Sequence, residues 1–154
     1  RKEWDAAMVC YTKAISLDSD HSEAFANRGY AFYKKGEHDK AIKDLSVAIR
    51  LKSDDVNALG NRAVVYSQKG EHELAIKDLS EAIRLRPDYM AGYASRGIAY
   101  SALGEFDKAI KDYTEAIRLK PDHAEAYHNR GIAYEKQGDQ AKADADDARA
   151  KELN

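Results

Sequence analysis

The chain has 154 residues, 34% of them charged, with 25 Lys and Arg against 27 Asp and Glu for a formal net charge of −2. So close a balance excludes the one-sided charge with which proteins engage nucleic acid or an anionic membrane, and no apolar run approaches the roughly 18 residues of a membrane span. The lone Cys10 excludes an internal disulfide framework. Because the chain opens on Arg1 rather than Met, without a signal-peptide pattern, it is expected to be a piece of something longer.

Residues 1–21 place Trp4, Ala7, Tyr11, Ala14 and Leu17 at steps of three and four, the spacing of one helical face. From Ser22 the pattern becomes a pair. Phe25, Gly29 and Phe32 mark a first helix to about Lys35. Gly36 stops it, since a residue without Cβ suits the left-handed position past a helix end. Glu37 or Asp39 then opens a second helix, with an acidic group near the positive end of its dipole, carrying Ala41, Ile42, Leu45, Ala48 and Ile49 to about Lys52. A turn this tight makes the two helices antiparallel.

The pair is then repeated from Val56, Met90 and Ala124. Gly36, Gly70, Gly104 and Gly138 recur every 34 residues, in register with Ala41, Ala75, Ala109 and Ala143 and with Leu51, Leu85, Leu119 and Leu153. The units are 22–55, 56–89, 90–123 and 124–154, preceded in 1–21 by a second helix without its first. Pro87 and Pro121 mark the end of a second helix in two copies. A repeat this short cannot bury its own apolar face, so the units must stack into one continuous array. In the last copy, the positions that read Ile110, Tyr113 and Ile117 in the third become Asp144, Asp147 and Lys151. Apolar residues there are expected to be covered by the following repeat, so the helix from about Gln140 to Leu153 is expected to be a polar capping helix.

Across the unit from Met90, the residues Tyr93, Gly97, Tyr100, Ala109, Tyr113 and Pro121 resemble the tetratricopeptide repeat, whose period is about 34 residues. The resemblance covers essentially the whole chain. It implies an all-α fold, a right-handed α-solenoid of stacked antiparallel helix pairs. The departure is Arg28, Arg62, Arg96 and Arg130, which stand where the family pattern has Leu.

The departure has an explanation inside the unit. Arg28 lies eight residues before Gly36 and Asp44 eight after it, so equal arms of an antiparallel hairpin bring them opposite. The same holds for Arg62 with Asp78, Arg96 with Asp112 and Arg130 with Asp146. Four partly buried, bidentate ion pairs are expected, fixing register more than adding stability. The competing reading makes each Arg a clamp for phosphate or carboxylate. Cys10 occupies the Asp slot of the orphan helix and is expected to be a buried, inert thiol.

The resemblance further implies that first helices line the concave face. There the sixth residues of the units are Asn27, Asn61, Ser95 and Asn129, and the ninth are Tyr30, Val64, Ile98 and Ile132. In some family members an asparagine ladder holds an extended peptide, because an amide offers both a donor and an acceptor to a peptide unit. The plainer alternative has these side chains bonding neighbouring turns or water. Tyr33 and Lys34 add an aromatic ring and a charge near the amino-terminal end, and His128 sits beside Asn129 in the last unit. The terminal-carboxylate clamp of other members is not expected, since the groove supplies only Lys34 and Lys136, far apart.

No catalytic motif, metal-ligand spacing or cofactor loop is found, so no enzyme, metal or cofactor is expected; the five histidines fall in turns or on a solvent face. The leading functional expectation is an interaction module that binds a protein or peptide segment in its groove, with no nucleic-acid partner and no membrane insertion. The alternatives are a scaffold that self-associates through residues 1–21, where Met8, Tyr11 and Ile15 lack a covering helix, and a regulatory or substrate-recruiting arm of a larger enzyme, such as a glycosyltransferase.

Overall fold

The computed structural model describes residues 2–153; Arg1 and Asn154, the outer ends of the expected 1–21 and 124–154 segments, lie outside the described residues. Regular structure among the described residues is entirely helical. The elements are α1 (Lys2–Leu17), α2 (Ser22–Lys34), α3 (His38–Leu51), α4 (Val56–Gln68), α5 (His72–Leu85), α6 (Met90–Ala102), α7 (Phe106–Leu119), α8 (Ala124–Lys136) and α9 (Gln140–Glu152). From α2 onward they form hairpins, α2 with α3, α4 with α5, α6 with α7 and α8 with α9.

The turn of each hairpin is one hydrogen-bonding device used four times. Gly36 sits at φ +79°, its N–H donates to Tyr33 O at 2.9 Å, and Glu37 N–H reaches back to Phe32 O at 2.9 Å. That pair of bonds satisfies carbonyls that the end of α2 would otherwise leave open, and it requires a left-handed residue at the glycine. The bonds recur around Gly70, Gly104 and Gly138. Starts are capped more variously. Asp55 accepts from the N–H groups of Asn57 and Ala58 at 3.0 Å, whereas His21 and His123 do the same work through Nδ1, from Ala24 at 3.4 Å and Ala126 at 3.1 Å. Two of the histidines expected in turns or on a solvent face therefore cap the starts of helices.

The chain divides into two compact units, one through Leu85 and one from Arg86. In the first, Ala41, Leu45 and Ala48 of α3 meet Ala58 and Val65 of α4 in a buried cluster flanked by Phe25, Phe32, Ile42 and Ile49. Small residues in register let the helices approach, and large ones fill the remaining space. In the second unit Tyr113 takes the place of Leu45. Its ring is almost wholly buried, and a Cβ added to Gly97 would lie 2.7 Å from its Cε1, so the ring occupies the space that the glycine leaves. Tyr113 thus packs on its own hairpin as well as sharing a cluster with Ala133 of α8, and is not simply an outward residue awaiting the next repeat. Ile117 clusters with Ala126 and Tyr127 of the following hairpin. On α9, Asp144 and Lys151 are exposed and Asp147 is half-buried.

Cys10 corrects an expectation. It is exposed, not buried. The equivalent Asp44, Asp78, Asp112 and Asp146 are buried because a first helix of the same hairpin lays an arginine over each. Among the described residues α1 has no such helix over that face, and Val9 and Leu17 beside it are 70% and 80% exposed.

Candidate functional site

Each hairpin is locked by its arginine. Arg28 donates from Nε to Asp44 Oδ2 at 2.6 Å and from Nη2 to Oδ1 at 3.0 Å, and the same fork binds Arg62 to Asp78, Arg96 to Asp112 and Arg130 to Asp146 at 2.7 to 2.8 Å. Aromatic rings sandwich the guanidinium. Arg96 Cζ lies 5.8 Å from the Tyr93 ring centre and 5.9 Å from that of Tyr100, and Arg130 lies between Tyr127 and Tyr134 in the same way. The aspartate hydrogen bond raises the affinity of Arg62, Arg96 and Arg130 for their protons, against the opposing effect of burial.

A third contact was not anticipated from the sequence. Nη1 of Arg28 donates to Thr12 Oγ1 at 3.2 Å, that of Arg62 to Ser46 Oγ at 2.9 Å and that of Arg130 to Thr114 Oγ1 at 3.0 Å. Each of these hydroxyls belongs to the preceding second helix. One side chain therefore fixes its own hairpin and the junction to the hairpin before it, leaving little of its donor fork for a ligand. A second junction contact runs along the hairpin turns, where Lys35 binds Asp5 at 2.6 Å, Lys69 binds Asp39 at 2.8 Å and Gln137 Nε2 donates to Asp107 at 2.7 Å.

With the arginines engaged, the open chemistry lies on the first helices, which run side by side as α2 with α4 and as α6 with α8. In the first unit this face carries Asn27, Tyr30, Tyr33, Lys34, Asn61 and Val64. Trp4 stands edge-on to Tyr30 with ring centres 5.7 Å apart, Tyr30 and Tyr33 are 5.9 Å apart, and Gln68 Nε2 donates to Tyr33 Oη at 3.1 Å. Lys34 Nζ rests 5.1 Å from the Tyr30 ring centre and 5.3 Å from that of Tyr33. The Tyr30 hydroxyl, hydrogen-bonded to the ammonium, raises its pKa above the ordinary lysine value. Trp4 and Gln68 are additions to the set expected from sequence.

In the second unit the same face carries Ser95, Ile98, Asn129 and Ile132, with Ile98 43% and Ile132 39% exposed. Ser95, Ile98 and Asn129 border a hollow of about 190 Å³ between α6 and α8, together with Ala91, Ala94, Ala126, His123 and Glu125. His128 leans away from this hollow, its Nδ1 3.2 Å from Asp147 Oδ1 on α9. The side chains of Asn27, Asn61 and Asn129 make no hydrogen bond to protein among the described residues, so these amides are not occupied in bracing neighbouring turns.

Comparison with known proteins agrees with this architecture. A TPR repeat family model matches residues 1–36, 29–70 and 99–138, and tetratricopeptide repeat models match 56–89 and 124–154. The chain belongs to the tetratricopeptide repeat family, and its fold is a helical repeat solenoid. Among solved structures, a crystal structure of MamA is 29% identical, with 99% of this chain and 89% of that chain covered at a TM-score of 0.94. MamA 41-end from Desulfovibrio magneticus RS-1 is 18% identical over 97% of this chain and 85% of that chain, TM-score 0.92. YrrB, described as a TPR protein with an unusual peptide-binding site, is 22% identical over 99% and 79%, TM-score 0.87. Repeats of this kind make the chain a protein-interaction module. No helix among the described residues is long and apolar enough to cross a membrane.

Proposed function

We propose that the chain binds an extended peptide segment of a protein partner across the faces of its first helices. The observation that carries this reading is the set of unengaged amides of Asn27, Asn61 and Asn129, at the same helical position in three of the four hairpins. An amide left unpaired beside apolar residues matches a backbone peptide unit in both donor and acceptor, so it grips a chain without dictating its sequence. Val64, Ile98 and Ile132 supply the apolar contact, and the Trp4, Tyr30, Tyr33 and Lys34 cluster supplies an aromatic and cationic one. The role in binding of YrrB, as its description states, belongs to that protein; a groove of comparable use fits the residues here.

The test is a random peptide library panned on the folded chain. Peptides recovered are titrated against the chain with Asn27→Ala, Asn61→Ala and Asn129→Ala together. At about 0.5–1.5 kcal/mol for each of the three amides, affinity should fall roughly ten- to two-thousandfold with the melting temperature nearly unchanged. Affinity unaffected by all three changes would move the site off this face.

A second reading rests on α1. Asp5, Met8, Val9, Thr12, Lys13 and Ser16 line an open, largely apolar hollow of about 530 Å³ on the side of α1 that carries Thr12, the acceptor of the Arg28 hydrogen bond. Pairing of two copies through this face would make the chain a self-associating scaffold, measurable as a concentration-dependent mass by light scattering.

A further inference from the structure

The hollow between α6 and α8 lies beside the departure in the asparagine series, at Ser95. In the first unit the same positions are Asn27 and Tyr30, with the Tyr30 ring against Trp4; in the second they are Ser95 and Ile98, both shorter, and the small side chains of Ala91, Ala94 and Ala126 line the hollow beside them. We infer that this hollow is a specificity pocket, resting on the peptide-binding reading above: it takes one leucine- to phenylalanine-sized side chain of the bound segment, with a Lys or Arg next to that side chain meeting Glu125.

Size, lining and charge each support this. An apolar cavity of about 150 Å³ holds a benzene ring, so about 190 Å³ admits a single large aliphatic or aromatic side chain. The lining combines three alanines and Ile98 with the polar side chains of Ser95, Asn129, His123 and Glu125, the mixed composition of a subsite in which an apolar wall selects by shape and a few polar groups fix orientation. Ile98 and Ile132 are exposed large apolar residues on the same face, so an entering side chain would cover apolar surface that otherwise meets water.

Glu125 sets the charge preference. Its carboxylate lines the hollow and has no cationic partner among the described residues. The nearby imidazoles are already engaged, His123 through Nδ1 with Ala126 N–H and His128 with Asp147. A bound segment that placed an acidic group here would face Glu125 unpaired, whereas a basic one gains an exposed ion pair. Ser95, which interrupts the ladder, is on this account the residue that defines specificity.

The library selected on the chain also tests this inference. Recovered sequences should share a Leu, Met, Ile or Phe adjacent to Lys or Arg. Ser95→Asn with Ile98→Tyr gives α6 the residues that α2 carries at the same positions, and so refills the hollow with side chains this fold already accommodates. It should weaken the recovered peptides more than tenfold, and changing their large apolar residue to Ala should cost the native chain the same amount but the refilled variant little. Glu125→Lys should reverse the preference from a basic to an acidic neighbour. Unaltered folding of both variants is read from their circular dichroism melts. Peptides that lose affinity when Asn27, Asn61 and Asn129 are changed, yet share no apolar and basic pair and ignore the refilled hollow, would overturn the pocket while leaving groove binding intact. Peptides indifferent to every one of these changes would overturn both.

Discussion

Arg62 and Asp78 meet through two parallel hydrogen bonds of 2.7 and 2.8 Å, with the aspartate side chain 6% and the arginine side chain 17% exposed. A bidentate pair this well shielded joins α4 to α5 at one register only, and the third bond from Arg62 to Ser46 extends the same constraint to α3. Removing one partner strands the other's charge, whereas removing both leaves an apolar seam. Arg62→Leu should therefore destabilise the chain by about 3 kcal/mol, at the lower end for a buried pair because its edge reaches solvent. Arg62→Leu with Asp78→Leu should recover most of that loss. A denaturant double-mutant cycle measures the coupling, and simple additivity would mean that the pair does not act as a unit.

The junction link between Lys69 and Asp39 titrates at both ends. Hydrogen bonding to Lys69 lowers the Asp39 pKa, so its contribution is present above the ordinary carboxylate pKa and is lost as pH falls through the depressed value. Hydrogen bonds to Asp39 and Glu71 raise the Lys69 pKa, so that contribution is present below the ordinary lysine pKa and is lost as pH rises through the raised value. The coupling between Lys69→Met and Asp39→Asn should accordingly appear at pH 7 and be smaller at about pH 2, below the ordinary carboxylate range. Melting curves of the four proteins at the two pH values check it; equal coupling at both would rule out a charge-based link.

Two glycines at the same repeat position should respond differently to alanine. A Cβ on Gly97 would lie 2.7 to 3.0 Å from three atoms of the Tyr113 ring, which is buried and has nowhere to turn, so Gly97→Ala should cost about 1–3 kcal/mol. At Gly29 the nearest atom is Leu45 Cγ, and the repeat from Val56 already carries Ala63 in that slot with Leu79 in the place of Leu45. Gly29→Ala should cost less than Gly97→Ala, partly offset by the helix preference of alanine. Chemical denaturation of the two single variants ranks them, and a larger loss at Gly29 would contradict the packing described.

The fold was legible because its signals are periodic. The glycine at left-handed φ and the buried alanines of the second helix recur in every copy, so one unit explains all of them, and equal arms about Gly36 suffice to set Arg28 opposite Asp44. The third contact was legible in principle, since Thr12, Ser46 and Thr114 are hydroxyls at one repeat position. Its meaning depends on how one hairpin lies against the next, which spacing within a unit does not contain. Cys10 was misread for a related reason. Its slot is buried in the other repeats by a partner helix, and burial belongs to that partner rather than to the residue. The hollow beside Ser95 has no signature in the sequence beyond a serine in the asparagine series, because vacant volume appears only when neighbouring helices are in place.

Exposed Cys10 offers a direct probe of α1. A thiol reagent should label it in the folded chain at nearly the rate seen in denaturant. If α1 pairs two copies, labelling should slow as protein concentration rises, in step with the mass from light scattering. Constant labelling with a monomeric mass would remove the scaffold reading.

The central claim is that partners bind the first-helix face, and site-specific photocrosslinking tests it most directly. A photoreactive amino acid is placed at Val64 or Ile132 on that face, and at exposed Lys77 or Lys111 on the second helices. With a library-selected peptide bound, crosslinks should form from positions 64 and 132 and not from 77 and 111. Equal yields at all four positions, or crosslinks confined to the second helices, would contradict the account.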